Sequence, residues 1–277
     1  MVSSCPLRLA RISPSLYVAS MSAAVVALPY VAVFRVGGLP TYVLLLMLAL
    51  ALGAMTSVLV SRRFGVPRDQ IAIVVAWGLG AAVVGGHVFD VIAYQWHDAS
   101  ENPSVWWHAS SGTSLFGALL GIAIATIVVC KQRGFDLRRC ADTVAIGCVV
   151  AMTIGRIGCA LVHDHPGIAT SSFVGIDVPT QAYWGGLQLP VRAHDVGLDE
   201  LLVMIPIAVV AFILMRRRFR PGMTAAILAI VYGSARFALD FLRLEPRHGG
   251  LTSGQWASIA MFAIAAFAFT RVRASGA

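Results

Sequence analysis

Charge is scarce in this chain. Of its 277 residues only 12% are Asp, Glu, Lys or Arg, while 58% are hydrophobic; an ordinary soluble domain carries about 25% charged residues. Lysine occurs once, as Lys131. That poverty excludes a soluble globular fold and leaves no segment polar enough to form a separate water-soluble domain. Cysteine is sparse too: five residues, Cys5, Cys130, Cys140, Cys148 and Cys159, with no CxxC pair among them, which argues against a disulfide framework. No apolar run precedes Cys5, so it is not expected to be a lipoprotein-type acylation site. No small-residue cleavage site accompanies the two arginines and apolar run near the N-terminus, so this segment is expected to be retained. No internal repeat is visible, which disfavours the duplicated halves of many secondary transporters.

What the chain has in plenty is long apolar runs. About 20 such residues cross a bilayer as a helix. Seven segments qualify, roughly 40–60, 70–94, 114–130, 140–162, 198–215, 222–243 and 254–270, and residues 16–34, interrupted by Pro29, are a candidate eighth span or an interfacial arm. The fold class expected is therefore an all-α polytopic membrane protein with seven transmembrane helices. The net charge of +8 does not point to nucleic acid, because 13 of the 21 basic residues sit in alternate loops beside the spans. By the positive-inside rule those loops are cytoplasmic and the C-terminus is inside. The opposite loops hold six of the seven histidines, and the longest, 163–197, contains Pro166, Pro179, Pro190 and five glycines. It is expected to fold as a small extracytoplasmic cap of strands and turns.

Against this apolar background the charged residues inside spans stand out. Arg156 lies in Gly155-Arg156-Ile157-Gly158. A guanidinium stays ionised at any physiological pH, and placing it in hydrocarbon costs about 2.5–3.5 kcal/mol on insertion scales. It is read either as an anion clamp for a lipid phosphate or as half of an ion pair with Asp90 or Asp240. Tyr232, Arg236, Asp240 and Arg243, spaced i, i+4, i+8 and i+11, are expected on one helix face, lining a polar cavity or pinning helices. His163-Asp164-His165-Pro166-Gly167 offers imidazoles as general bases, a turn, or part of a metal set completed by His194, Asp195 or His87. His87 and Asp90, three apart on the second span, are read as partners of Arg156, a proton relay or a packing pair. Asp199 opens the fifth span at the positive end of its dipole, and Glu200 beside it points elsewhere.

At these residues the chain resembles the prolipoprotein diacylglyceryl transferases, seven-span enzymes of the bacterial inner membrane. The likeness runs collinearly from about residue 39 to 262. Pro40-Thr41-Tyr42 is similar to the family's start of its first span, and Gly155-Arg156-Ile157-Gly158 with Gly167 to its signature around a central arginine. Arg192, His194 and Glu200 resemble its Arg-His-Pro-x-Gln-Leu-Tyr-Glu run. Tyr232-Gly233, Arg236-Phe237, Asp240-Phe241 and Arg243 resemble its Tyr-Gly…Arg-Phe…Glu-Phe-x-Arg helix, and Gly254-Gln255-Trp256-Ala257-Ser258 the opening of its last span. The chain departs from the pattern in four places. Phe116 stands where the family has the histidine of a His-Gly-Gly run, and Cys159 where it has the asparagine after Gly-Arg-x-Gly. Val162-His163-Asp164 replaces Asn-Gly-Glu, and His87 the arginine of a Gly-Gly-Arg run.

The resemblance implies transfer of a diacylglyceryl group from phosphatidylglycerol to a lipobox cysteine thiol of a prolipoprotein signal-peptide region, releasing glycerol phosphate at the outer leaflet. On that basis Arg156 and Arg236 hold the phosphate, Tyr42 and Tyr232 line the site, and Gly167 shapes the substrate path. Asp240, Arg243 and His87 are assigned to the substrate, and Arg236, His163, His165 and His194 to catalysis. No cofactor, metal or nucleic acid is assigned. Residues 1–38 are expected to form an arm or extra span, and residues 39–277 the seven-helix unit. The competing readings are a lipid-phosphate hydrolase or transferase with another acceptor, and a non-catalytic phospholipid-binding protein.

Overall fold

A computed structural model describes residues 28–29, 35–36, 39–107, 113–163, 165–172, 175–177, 183–184, 187–188, 191–217 and 219–274. Seven of its helices are long and apolar enough to cross a membrane, in the seven segments expected. They are α1 (Thr41–Val60), α2 (Arg68–Tyr94), α4 (Leu115–Arg133), α5 (Leu137–Val162), α6 (Val196–Arg216), α7 (Met223–Leu239) and α8 (Ser253–Ala274); α3 (Trp96–Glu101) is a short helix between α2 and α4. Several ends reach past the apolar windows. α4 and α8 run on into Lys131 and Arg133, and into Arg271 and Arg273, because cations in a last turn complement the negative end of the helix dipole.

Local chemistry sets the helix boundaries. Gly65 and Gly134 take left-handed backbone, with φ of 73° and 69°, and close the turns after α1 and α4 as C-caps. Asp136 starts α5 by accepting the Arg139 N–H at 3.2 Å, and Asp195 starts α6 by accepting that of Leu198 at 3.2 Å. The start of α7 is capped across the bundle: buried Asp142 of α5 accepts the backbone N–H groups of Gly222 at 2.7 Å and Ala225 at 2.8 Å. Thr252 and Gln255 form a reciprocal capping box at the start of α8. The Gln255 N–H reaches Thr252 Oγ1 at 3.1 Å and the Thr252 N–H reaches Gln255 Oε1 at 3.0 Å.

The helices pair closely where small residues let backbones meet, as expected where lipid removes any hydrophobic drive between helices. α2 packs on α4 and α1 on α5. A Cβ on Gly117 of α4 would collide with the backbone of Gly85 on α2, and one on Gly53 of α1 would stand 2.7 Å from Ala151 Cβ on α5. α5, α6 and α7 share a core of Ile146, Val149, Met204, Ile207, Ala211, Leu214, Leu228 and Tyr232. That core fixes the spacing of the three helices that carry Arg156, Glu200 and Arg236.

At the end of the bundle where α5 stops and α6 starts lies a four-stranded sheet in the order β1 (Leu28–Pro29), β5 (Ile176–Asp177), β8 (Arg192–Asp195), β4 (Pro166–Ala169). β8 is antiparallel to both neighbours, with Pro166 opposite Asp195 and Ile176 opposite Ala193. Two hairpins, β2 (Arg35–Val36) with β3 (Leu39–Pro40) and β6 (Tyr183–Trp184) with β7 (Leu187–Gln188), complete the strands described. Of the candidate span 16–34, Leu28–Pro29 form β1, parallel to β5; the rest lies outside the described residues.

Candidate functional site

Arg156 is buried on α5, and its partner is neither Asp90 nor Asp240 but Glu200 of α6, whose Oε1 lies 2.8 Å from Arg156 Nη2. Asp90 instead accepts from Gln95 Nε2 at 2.6 Å. Glu200, only 1% exposed, is the centre of the cluster. The same Oε1 accepts from the Tyr232 hydroxyl at 3.2 Å and lies 3.5 Å from Arg236 Nε. Oε2 lies 3.6 Å from Arg243 Nη2.

The stripe expected on one helix face is broken. α7 ends at Leu239, and Asp240–Leu242 wind as a 3₁₀ turn. This tighter turn leads Arg243 into extended backbone, bridged to Gly167 in an antiparallel pair. The four side chains still converge. Asp240 accepts from Arg236 Nη1 and from the Thr252 hydroxyl, and its Oδ1 lies 3.2 Å from Arg243 Nε. Arg243 Nη1 also donates to Glu245 at 2.7 Å. Gly167 is obligatory for this approach: a Cβ there would collide with the Leu242 carbonyl and stand 2.8 Å from Val196 Cγ2 and 3.0 Å from His194 Cβ.

Three arginines and three carboxylates thus share one buried cluster. Among the described residues, Nε of Arg236, Nε of Arg243 and Oε2 of Glu200 are buried without a hydrogen bond. Their nearest charged partners lie 3.2–3.6 Å away, close enough for charge attraction. Buried donors are nearly always satisfied, and a guanidinium N–H is well matched to a carboxylate or phosphate oxygen. The cluster can therefore present two unspent cationic donors to an anionic oxygen. Two more departures from the family pattern line it. The Phe116 ring lies against Arg236, its centroid 5.7 Å from the guanidinium carbon, and Cys159 Sγ accepts from Arg156 Nη1 at 3.5 Å.

The remaining predicted residues surround the cluster or lie apart from it. Tyr42 begins α1 with its ring on Gly158: Cδ2 lies 3.5 Å from where a Cβ there would stand. His165 lines a small cleft with Pro166, Arg243, Leu244 and Glu245. His163 Nδ1 bonds Asp195 at 2.7 Å, and His194 Nδ1 bonds Asp199 at 3.1 Å. Asp164 lies outside the described residues. His87 is on α2, with Nε2 3.1 Å from the Trp106 carbonyl. Among the described residues no three of His, Cys, Asp and Glu gather to hold a metal ion.

The sequence does not name the partners of the compensating acids: it turns Glu200 away from Asp199 but toward no particular arginine, offers Asp195 as a metal ligand, and gives Glu245 no role. A usable signal existed: three arginines near one end of apolar spans require acids at the same depth, and the chain has only three glutamates, two of them here.

Comparison with known proteins adds an independent observation. A family model described as "Prolipoprotein diacylglyceryl transferase" matches residues 31–271. A protein of Clostridium tetani named phosphatidylglycerol–prolipoprotein diacylglyceryl transferase is 26% identical over 79% of this chain and 89% of its own length. One of the same name from Shouchella clausii is 27% identical over 74% of each. Another, from Enterococcus faecalis, is 25% identical over 87% of this chain and 89% of its own.

Proposed function

This chain belongs to the prolipoprotein diacylglyceryl transferase family, and we propose that it transfers a diacylglyceryl group from phosphatidylglycerol to the lipobox cysteine thiol of prolipoproteins. Residues 39–277 form the catalytic unit in this reading. The bundle lies in the bacterial inner membrane, with the arginine-rich loops and C-terminus cytoplasmic by the positive-inside rule. The sheet and the cluster around Glu200 then face the outer leaflet, where phospholipid headgroups and exported prolipoproteins meet.

The observation that carries this reading is the buried cluster of Arg156, Arg236 and Arg243, in which two guanidinium N–H groups remain unspent. Displacing a phosphate from a glyceryl carbon builds charge on the departing oxygen. Donors already aimed at that oxygen, in a site closed to water, stabilise the transition state without reorganising. Arg156 and Arg236 hold the phosphate; Arg236 and Arg243 offer it the two unspent N–H groups, Arg156 adds its charge across the shared Glu200, and Asp240 fixes Arg236 and Arg243. Glu200 and Tyr232 keep the guanidiniums apart and oriented, Tyr42 covers the α1 side, and Gly167 admits the chain that carries Arg243. The bound lipid phosphate shares arginines whose charge the carboxylates already balance, which keeps the pocket stable between turnovers.

Phe116 favours a second reading, a phospholipid-binding protein without transfer, because a phenyl ring moves no proton. Complementation separates the two. If the full chain restores lipoprotein maturation in a bacterium depleted of its own transferase, and Arg156→Gln does not, transfer is supported. If the wild-type chain is expressed in the membrane yet restores nothing, the second reading stands.

A further inference from the structure

We propose that His163, held by Asp195, is the general base that takes the proton from the acceptor thiol; the inference rests on the transferase reading above. Such a base is needed because the thiolate, not the thiol, is the nucleophile. The place of the family histidine is taken by Phe116, whose ring is packed against Arg236.

Four observations point to His163. Its Nδ1 lies 2.7 Å from Asp195 Oδ2, and both side chains are buried. A carboxylate only accepts, so Nδ1 carries the hydrogen and Nε2 carries the lone pair. Asp195 is itself fixed, because its other oxygen caps α6. His163 is also the one non-glycine among the described residues with positive φ, at 50°. That left-handed turn is the C-cap of α5, and it brings the imidazole to Asp195 at the start of α6. Finally, the dyad and the arginine cluster join the same parts of the fold. His163 is the C-cap of α5, seven residues after Arg156, and Arg156–Glu200 and His163–Asp195 are two rungs between the end of α5 and the β8–α6 corner. The dyad is the rung nearer the sheet, on the side from which a thiol on an exported peptide arrives.

His194 is a weaker candidate. Its pair with Asp199 is longer, at 3.1 Å, and more exposed. In the step proposed, Nε2 of His163 accepts the thiol proton. The sulfur forms a C–S bond to the glyceryl carbon as that carbon's bond to the phosphate oxygen breaks. The electron pair leaves with the oxygen, glycerol phosphate departs from the arginines, and the imidazolium returns its proton to water at the sheet end.

The test uses the full chain in phosphatidylglycerol vesicles and two synthetic lipobox peptides, one with cysteine and one with selenocysteine, whose selenol ionises at neutral pH without a base. His163→Asn suits left-handed backbone and still donates to Asp195, but it cannot act as the base. Asp195→Asn keeps the helix cap and reverses the hydrogen bond that sets the imidazole tautomer. Each is expected to slow transfer to the cysteine peptide by roughly 10²–10⁴-fold, the usual contribution of a general base, while the selenocysteine peptide reacts at close to the wild-type rate. Equal losses with both peptides would make His163 a structural residue and overturn the proposal, as would no loss with either. A wild-type chain inert toward both peptides would instead overturn the transferase reading itself.

Discussion

Glu200→Gln is the perturbation that reads the cluster most quantitatively. The amide keeps the size of the side chain and an oxygen for the Tyr232 hydroxyl, but it leaves three buried guanidiniums facing only Asp240 and Glu245. Among the described residues Glu200 is the sole carboxylate paired with Arg156, so the uncompensated charge falls on that arginine. Removing one partner from a buried ion pair costs about 3–5 kcal/mol. For chains near this size, where 1 kcal/mol moves the midpoint by roughly 2–4 °C, that is a fall in Tm of roughly 6–20 °C. The assay is thermal unfolding of the detergent-purified protein, with and without added phosphatidylglycerol. The lipid is expected to raise the Tm of the variant more than that of the wild type, because its phosphate supplies the missing negative charge. A variant with unchanged Tm, or one that the lipid stabilises no more than wild type, would refute the claim that Glu200 compensates arginines built to share an anion.

Three further outcomes follow from the geometry. Arg156→Lys keeps the charge but loses the planar fork that spans Glu200 and Cys159; transfer is expected to fall by at least about tenfold, equivalent to about 1.4 kcal/mol, with the helical circular dichroism unchanged. Gly167→Ala drives a methyl into the Leu242 carbonyl and Val196; a loss of about 1–3 kcal/mol is expected, read as a lower Tm together with weaker phosphatidylglycerol binding as Arg243 shifts. Asp142→Ala strips the cap shared by the Gly222 and Ala225 N–H groups, which should cost about 1–2 kcal/mol at the far end of α7 and leave the KM for the lipid unchanged.

The seven spans were legible because a helix that crosses lipid must be apolar over its whole length. The convergence of Tyr232, Arg236 and Asp240 was legible from helical spacing alone. The position of Arg243 was not: the switch to a 3₁₀ turn at Asp240 depends on contacts with Thr252 and Gly167, which are remote in sequence. Pairing across helices was hidden for the same reason. Nothing local links Arg156 to Glu200: helical spacing turns Glu200 away from Asp199 but does not name its partner. The acid that holds His163 was not legible in the sequence. Asp195 lies 32 residues from His163 and reaches it only because α5 and α6 meet at the sheet.

The central claim, that the arginine cluster grips a phospholipid phosphate for transfer to a thiol, is tested most directly by the mass of a lipobox peptide after incubation with the purified chain in phosphatidylglycerol vesicles. The account predicts a peptide heavier by one diacylglyceryl group, linked through its cysteine as a thioether resistant to hydroxylamine, with glycerol phosphate released in equal amount. A peptide recovered unmodified, from protein that is folded and bound to the lipid, would contradict it.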